Sequence, residues 1–242
     1  MARSTLPQTI AMSRTIIGVI LAWGLGLVSI FPLFAQNQIT YIPPKQKQQR
    51  PRHTESSATR GCHQQLNNSV VLLAPVDHVG RTVSPRPRLF YYSDGKNEIP
   101  AIMTLAARDG RVALWEKEIT LKQPGLNHVS LPSDLQLKID QEYLWTVTIL
   151  CNPVNLSQGI EKQVTIKRIP LSVALERQLA TIPETEHSYL YALAGLWYDA
   201  LSSLVSRSPQ DLSLLKELLA QIGLLDIKLP SVIDENSQKF SR

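Results

Sequence analysis

The amino-acid sequence predicts an α+β protein: an antiparallel β-sandwich, immunoglobulin-like and of about seven strands, followed by a C-terminal bundle of about three helices. Between residues 70 and 169 short β-type runs alternate with turn residues at nearly even spacing, which is typical of a sandwich. After residue 170 the apolar residues recur at helical spacing. This change of period places a sandwich domain at 61–169, a helical region at 170–230 and a polar tail at 231–242.

The first 35 residues are typical of an export signal. Arg3 and Arg14 precede an apolar run over 15–34, and the small residue Ala35 stands at the expected cleavage point. The alternative is an uncleaved membrane anchor, since the apolar run approaches the roughly 20 residues that a bilayer requires. Pro32 and the lack of a basic cluster after the run favour cleavage. Both interpretations predict that the rest of the chain works outside the cytoplasm, in the periplasm or extracellular space.

Residues 36–60 have the composition of a basic linker rich in proline and glutamine. This segment carries a charge of about +4 and the signal carries +2, so the rest of the chain carries about −1 of the formal net charge of +5. A nucleic-acid-binding protein places its positive charge on the folded surface, so this distribution argues against a nucleic-acid partner. We expect a solvated tether. The alternative is a patch that contacts acidic envelope polymers or lipid headgroups.

Seven runs are predicted as strands from their β-type residues and the turn residues between them. They cover residues 70–75, 88–93, 100–107, 112–119, 128–132, 143–150 and 162–169. Between the third and fourth runs, Asp109-Gly110 suits the two-residue turn of a hairpin. In the sixth run the odd-numbered residues from Tyr143 to Cys151 are apolar and share one face, which we expect to be the core.

The chain has two cysteines, Cys62 and Cys151, separated by 89 residues. In an oxidising compartment two cysteines are most simply joined as a disulfide, and free thiols are the alternative. A loop of that length contributes about 4–5 kcal/mol on the chain-entropy account. Zinc prefers closely spaced pairs of Cys or His, and the sequence has neither CxxC nor HxxxH. We therefore expect no metal site and no cofactor.

Three helices are predicted after residue 170. Ser172 suits the N-cap of the first helix, which Pro183 ends. The third helix has Ser208 as its N-cap and Pro209 at its first position, and Gly223 closes it.

The second predicted helix, 189–205, carries the site prediction. Its stripe through Trp197 and Leu201 is expected to face the sandwich. A neighbouring face combines two tyrosines with a glycine that lets another backbone come close, a composition suited to a protein interface. The residues of this predicted interface are Tyr191, Gly195, Tyr198 and the adjacent Asp199. The alternative for the face with the two tyrosines is that the first or the third helix covers it. Asp199 could instead be exposed on the helix surface, or it could be a buried hydrogen-bond anchor for the sandwich.

Five short motifs occur in a fixed order along the chain. They are TRGC, PRPRLFYY, PGLNHVSLP, YLWTVTILCNP and GLWYDAL with LLAQIGL, over roughly residues 59–230. This order resembles an exported, mostly cyanobacterial family catalogued only as a domain of unknown function. The resemblance implies an exported protein with one sandwich and a helical tail, and it supplies no activity. Family members more often have Asp after the second cysteine where this chain has Asn152, which puts a ligand role for that loop in doubt.

Sequence patterns of common catalytic sites are absent. There is no GxSxG, no HExxH and no phosphate-binding glycine loop. Glu116 and Glu118 mimic a carboxylate pair, but Lys117 between them indicates a solvated strand face. The favoured hypothesis is a non-catalytic envelope protein that binds another exported protein and contacts a membrane only through its signal or linker. The alternative is an envelope hydrolase or carbohydrate-acting enzyme with a dispersed site.

We expect peptide mapping without reduction to recover Cys62 joined to Cys151. Replacing either cysteine by serine should lower the free energy of unfolding by a few kcal/mol, about 2–5, because the open loop gains conformational freedom in the unfolded chain. Urea denaturation of each variant measures the loss. Two thiols that react quantitatively in the untreated protein would contradict the disulfide.

Overall fold

The computed structural model describes residues 38–45, 70–95, 98–108, 112–121, 124–151, 159–205, 208–224, 227 and 229. Within these residues the chain forms eight strands in two sheets, followed by four α-helices. The predicted α+β class is therefore confirmed, whereas the immunoglobulin-like arrangement is not. The predicted signal at 1–35, Cys62 and the predicted tail at 231–242 lie outside the described residues.

The strands divide into a sheet of three and a sheet of five. They are β1 (Val70–Leu72), β2 (Gly80–Thr82), β3 (Arg88–Ser93), β4 (Ile99–Ala107), β5 (Ala113–Leu121), β6 (Gly125–Ser130), β7 (Glu142–Leu150) and β8 (Gly159–Arg168). The smaller sheet has the order β1-β3-β6 and the larger one β2-β8-β7-β4-β5. Every pairing is antiparallel except that of β2 with β8, which is parallel. The prediction of a wholly antiparallel sandwich is wrong at this edge.

Strand β7 lies at the centre of the larger sheet and supplies much of its core. Tyr143, Trp145, Val147 and Ile149 are all buried, which confirms the predicted alternation. Cys151 follows the strand and is half-buried. The predicted hairpin is confirmed by the antiparallel pairing of β4 with β5. Its turn at residues 109 and 110 lies outside the described residues.

Strand β5 forms the outer edge of the larger sheet and is poorly covered. Among the described residues it pairs only with β4. Leu114 is 44% exposed, and Glu116, Lys117 and Glu118 are exposed as well. The prediction that the two glutamates lie on a solvated face is confirmed.

The helices follow the last strand. They are α1 (Val173–Thr181), a single 3₁₀ turn (Glu184–Glu186), α2 (His187–Leu193), α3 (Trp197–Leu204) and α4 (Pro209–Ala220). Two predicted N-caps are confirmed. The Ser172 hydroxyl accepts a hydrogen bond from the Leu175 N–H, and Ser208 forms a reciprocal capping box with Asp211.

The predicted continuous helix over 189–205 is wrong, because the chain turns between α2 and α3. Gly195 has a φ of 70°, in the left-handed region that a right-handed helix cannot contain. The apolar spacing continues across this break, so periodicity alone did not reveal it. The predicted stripe is nevertheless buried at Trp197 and Leu201.

Residues 38–45, here called the strap, belong to the folded structure. Ile39 is 2% exposed and Tyr41 6% exposed, so the prediction that all of 36–60 is a solvated tether is wrong for this part. The two side chains are two residues apart and point to one side of an extended segment, as in a strand. A segment that is polar on average is thereby held by two buried residues.

The corner at Gly195 lets the strap come close to the helices. A Cβ at this position would lie 2.7 Å from the carbonyl oxygen of Ile42, whereas a Cβ at Gly223 would have no neighbour within 4 Å. Both glycines have positive φ, 70° and 81°. A side chain at either position would therefore carry the energetic cost of a left-handed backbone. Only at position 195 would it also collide with the strap.

We expect Gly195→Ala to lower the free energy of unfolding more than Gly223→Ala. The second substitution should cost about 1–2 kcal/mol for the left-handed conformation. The first adds the cost of displacing the strap and should total about 2–5 kcal/mol. Urea denaturation of the two variants measures the difference. Equal losses of unfolding free energy would show that the strap does not lie in close contact with Gly195.

Candidate functional site

Polar groups of the strap, the segment before β2 and the start of α3 converge in one place, here called the strap junction. It contains Tyr41, His78, Trp197, Tyr198 and Asp199. Helix α3 begins two residues after the corner at 195, which directs its first turn toward β2 and the strap. The junction thus brings three aromatic rings together with an imidazole and a buried carboxylate.

Asp77, His78 and Tyr41 form a chain of hydrogen bonds from the surface to the strap. The Nδ1 atom of His78 lies 2.7 Å from the Asp77 carboxylate, and its Nε2 lies 2.7 Å from the Tyr41 hydroxyl. Because a carboxylate only accepts, Nδ1 carries a proton, and in the neutral imidazole Nε2 then accepts a hydrogen bond from the phenol. The same phenol ring stacks on the imidazole and meets Trp197 edge-on, with centroids 5.1 Å apart in the second pair.

The order acid, imidazole, hydroxyl is also that of an activated nucleophile. Burial raises the pKa of Tyr41 well above its ordinary value, and the negative charge of Asp77 raises it further, against a smaller opposite effect of Arg81. The phenol therefore keeps its proton at neutral pH. Tyr41 serves as a hydrogen-bond donor that fixes the strap, and its environment does not favour a phenolate nucleophile.

Asp199 joins α3 to the end of β2. Its two carboxylate oxygens accept hydrogen bonds from the Thr82 hydroxyl and the Val83 N–H, each at 3.1 Å. Burial raises its pKa to about 6, although the hydrogen bonds from Val83 and Thr82 oppose that rise. Asp199 is thus a buried hydrogen-bond anchor, which is one of the alternatives left open by the sequence.

Trp197 and Tyr198 fill the space between α3 and the sheets. The indole Nε1 of Trp197 donates to the carbonyl oxygen of Leu73 at 2.9 Å. Tyr198 is 1% exposed and its ring lies directly over Gly80, where a Cβ would come within 2.7 Å of Cε2. Its hydroxyl has no hydrogen-bond partner among the described residues. A side chain at position 80 would displace this ring, so glycine is required there.

The structure does not expose the face that was predicted as an interface, so the prediction of a free binding surface is wrong. Its residues are Tyr191, Gly195, Tyr198 and Asp199. Tyr198 and Asp199 are buried against β2, because the helix starts anew at residue 197 and turns them inward. Tyr191 is half-buried beside His187. The backbone that comes close to Gly195 is the strap of the same chain.

The other predicted sites have different outcomes. The disulfide stays a prediction, since Cys62 lies outside the described residues. Within the described part of the chain no three His, Cys, Asp or Glu side chains are grouped as metal ligands would be. The same part contains no helix that is both long and apolar enough to cross a membrane.

The strap and its partner His78 were not predicted from the sequence. A usable signal was present in the spacing of Ile39 and Tyr41, two apolar residues that alternate with polar neighbours at the start of a proline- and glutamine-rich segment. No local pattern identifies His78 as the acceptor, because it lies 37 residues further along the chain.

These features define a two-sheet α+β domain in which a buried carboxylate joins α3 to β2 at one edge of the larger sheet. The strap is bound to the helices through Ala192 and Gln221. The chain belongs to the family described as Domain of Unknown Function (DUF928), which matches residues 55–231. The match confirms the resemblance to a family of unknown function. A search of curated proteins gave no match. The match includes the whole of the strap junction except the strap itself.

We expect the stability of the wild-type protein to fall as the pH rises from 4 to 7. The folded pKa of Asp199, about 6, lies above the ordinary 3.8. The folded state thus binds the proton more tightly, and the stabilisation present below pH 3.8 is lost as the pH rises through 6. The group should contribute about 2–3 kcal/mol to this fall, at ~1.4 kcal/mol for each pH unit.

Asp199→Asn provides the reference because an amide does not titrate in this range. Urea denaturation of both proteins at pH 4, 5, 6 and 7 should show that the variant lacks this part of the pH dependence. Parallel curves for the two proteins would contradict the assignment to Asp199.

Proposed function

We propose that this chain is an exported, non-catalytic envelope protein that works as a protein-binding or structural module. The proposal rests on one observation: the converging polar groups of the strap junction form their hydrogen bonds with other elements of the same fold. Asp199 accepts its hydrogen bonds from β2 and the residue after it, and the Asp77–His78–Tyr41 chain ends on a buried phenol of the strap. These groups hold elements of the fold together, which favours a module that presents a fixed surface.

The alternative function is an envelope hydrolase or carbohydrate-acting enzyme, and one observation favours it. The acid–imidazole–hydroxyl order at Asp77, His78 and Tyr41 is that of a nucleophile with its base. Against it, the hydroxyl lies on a residue that is 6% exposed and packed on Trp197. A substrate would have to displace the strap to reach it. The position of the phenol therefore supports the structural role.

Export is part of the proposal and rests on the composition of residues 1–35, with basic residues, an apolar run and a small residue in order. The proposed partner is another exported or envelope protein. An envelope location also provides the oxidising conditions in which the predicted disulfide would form.

Enzyme assays and crosslinking in intact envelopes test this function together. Wild type, Tyr41→Phe and His78→Gln should give the same background rate on model ester and glycoside substrates. The wild-type chain recovered from envelopes should begin at Gln36 and crosslink to another exported protein in a reproducible stoichiometry. Wild-type turnover that both variants lose, with melting temperatures unchanged, would establish the enzyme instead.

A further inference from the structure

The strap is held through its main chain as a bound peptide would be. Gln221 accepts a hydrogen bond from the Tyr41 N–H at 2.8 Å and donates one to the Ile39 carbonyl oxygen at 2.7 Å. The Ile42 N–H donates to the Ala192 carbonyl oxygen at 3.1 Å. A single amide side chain thus makes both bonds that a neighbouring strand would make, and this contact does not depend on the side chains of the strap.

Two buried side chains add selectivity to this main-chain contact. Ile39 and Tyr41 are buried, whereas Thr40 between them is exposed. Tyr41 lies against Trp197 and donates its hydroxyl hydrogen bond to His78. The contacts therefore select an extended segment with an apolar residue, any residue and then a tyrosine.

The surface that receives the strap, here called the strap groove, is formed by His78, Ala192, Gly195, Trp197 and Gln221. All five residues lie within the family match at 55–231, and the strap lies before it. The groove is therefore part of the domain, while its occupant is an added segment. A glycine in the left-handed conformation at the corner leaves room for the carbonyl group of the occupant.

The strap is attached to the domain by a long connection. Residues 46–69 separate it from β1, and with the predicted disulfide at Cys62 in place the 16 residues 46–61 still span at most about 55 Å when extended. A tether of this length allows the strap to leave the groove while it stays attached to the domain. Once it has left, it competes for the groove from within the same molecule, at an effective concentration on the order of 1 mM.

We propose that the strap groove is a peptide-binding site that takes an extended apolar-x-tyrosine segment of another exported protein in exchange for the chain's own strap. The incoming segment would replace in kind the hydrogen bonds on Gln221, Ala192 and His78, together with the longer one that the Ile39 N–H donates to the Glu217 carboxylate at 3.4 Å. This inference rests on the proposed protein-binding function and specifies its surface and the chemistry of its partner. The strap then acts as an internal competitor that sets a threshold for binding.

The test uses the full chain with a specific protease site inserted after Arg52, and the probe is a fluorescent peptide with the sequence of residues 36–45. After cleavage and dilution, the peptide should bind by fluorescence anisotropy at least ~100-fold more tightly than to the uncut chain, because the tethered competitor is gone. A peptide with Tyr41→Ala should bind at least 10-fold more weakly. Equal binding to cut and uncut chains would place the peptide elsewhere and overturn the proposal.

The groove variant for this test is Gln221→Ala, which removes both amide contacts at an exposed position of the α4 C-terminus. Lys216→Ala, exposed on the same helix, is the matched control. We expect peptide binding to fall at least 10-fold in the first and to stay unchanged in the second. Unfolding of the chain on cleavage, without recovery on adding peptide, would show that the strap is an integral element and would overturn the proposal.

Two further outcomes separate this inference from the function on which it rests. A dimer of uncut chains that the peptide dissociates would identify a second copy as the occupant and overturn the assignment to a different protein. A strap groove that binds no peptide, together with an intact envelope complex, would overturn the groove alone. Turnover lost in Tyr41→Phe and His78→Gln would overturn the proposed function even where the peptide binds.

Discussion

The buried carboxylate of Asp199 fixes the position of β2, and the strap junction depends on that position. β2 has three residues, pairs only with β8 among the described residues, and is too short to be stable by its ladder alone. Hydrogen bonds from Thr82 and Val83 tie its end to the first turn of α3. Gly80 is thereby held under Tyr198, and the residue two positions earlier, His78, is held beside the strap.

The location of Asp199 explains how the fold tolerates a buried acid. The carboxylate stands in the first turn of α3, where the unpaired N–H groups of the helix favour negative charge. The two hydrogen bonds from the β2 side satisfy one lone pair on each oxygen. Burial nevertheless outweighs these effects, since the pKa remains above its ordinary value. The contact orients two elements at some cost in stability at neutral pH.

The elements that were predicted correctly from the sequence are those whose cause is local. The core face of β7 follows from alternation, and the start of α4 follows from Ser208, Pro209 and Asp211, all within four residues. β2 has no such pattern, because its position is fixed by a side chain 117 residues from Thr82. The corner at Gly195 was missed for a related reason, since the spacing of apolar residues carries no information on the backbone angle φ of a glycine.

The predicted interface around Gly195 is occupied by a segment of the same chain. The sequence indicated correctly that Gly195 admits another backbone, but it did not indicate whose. The partner is the strap, whose hydrogen bond to Gln221 joins residues 180 positions apart. A contact of this sequence separation leaves no trace in a local window. The composition of 36–60 as a whole masked the two residues that anchor it.

The charged triplet at the exposed edge of the larger sheet governs how two molecules can meet there. If two copies of β5 paired antiparallel about a twofold axis at Lys117, the two lysines would face each other and Glu116 would face Glu118. An axis at either glutamate places two identical acids opposite each other. Like charges across a strand pair repel, so each of these symmetric registers is disfavoured. This edge, which no other strand covers among the described residues, is thus protected against symmetric pairing of two copies into one continuous sheet.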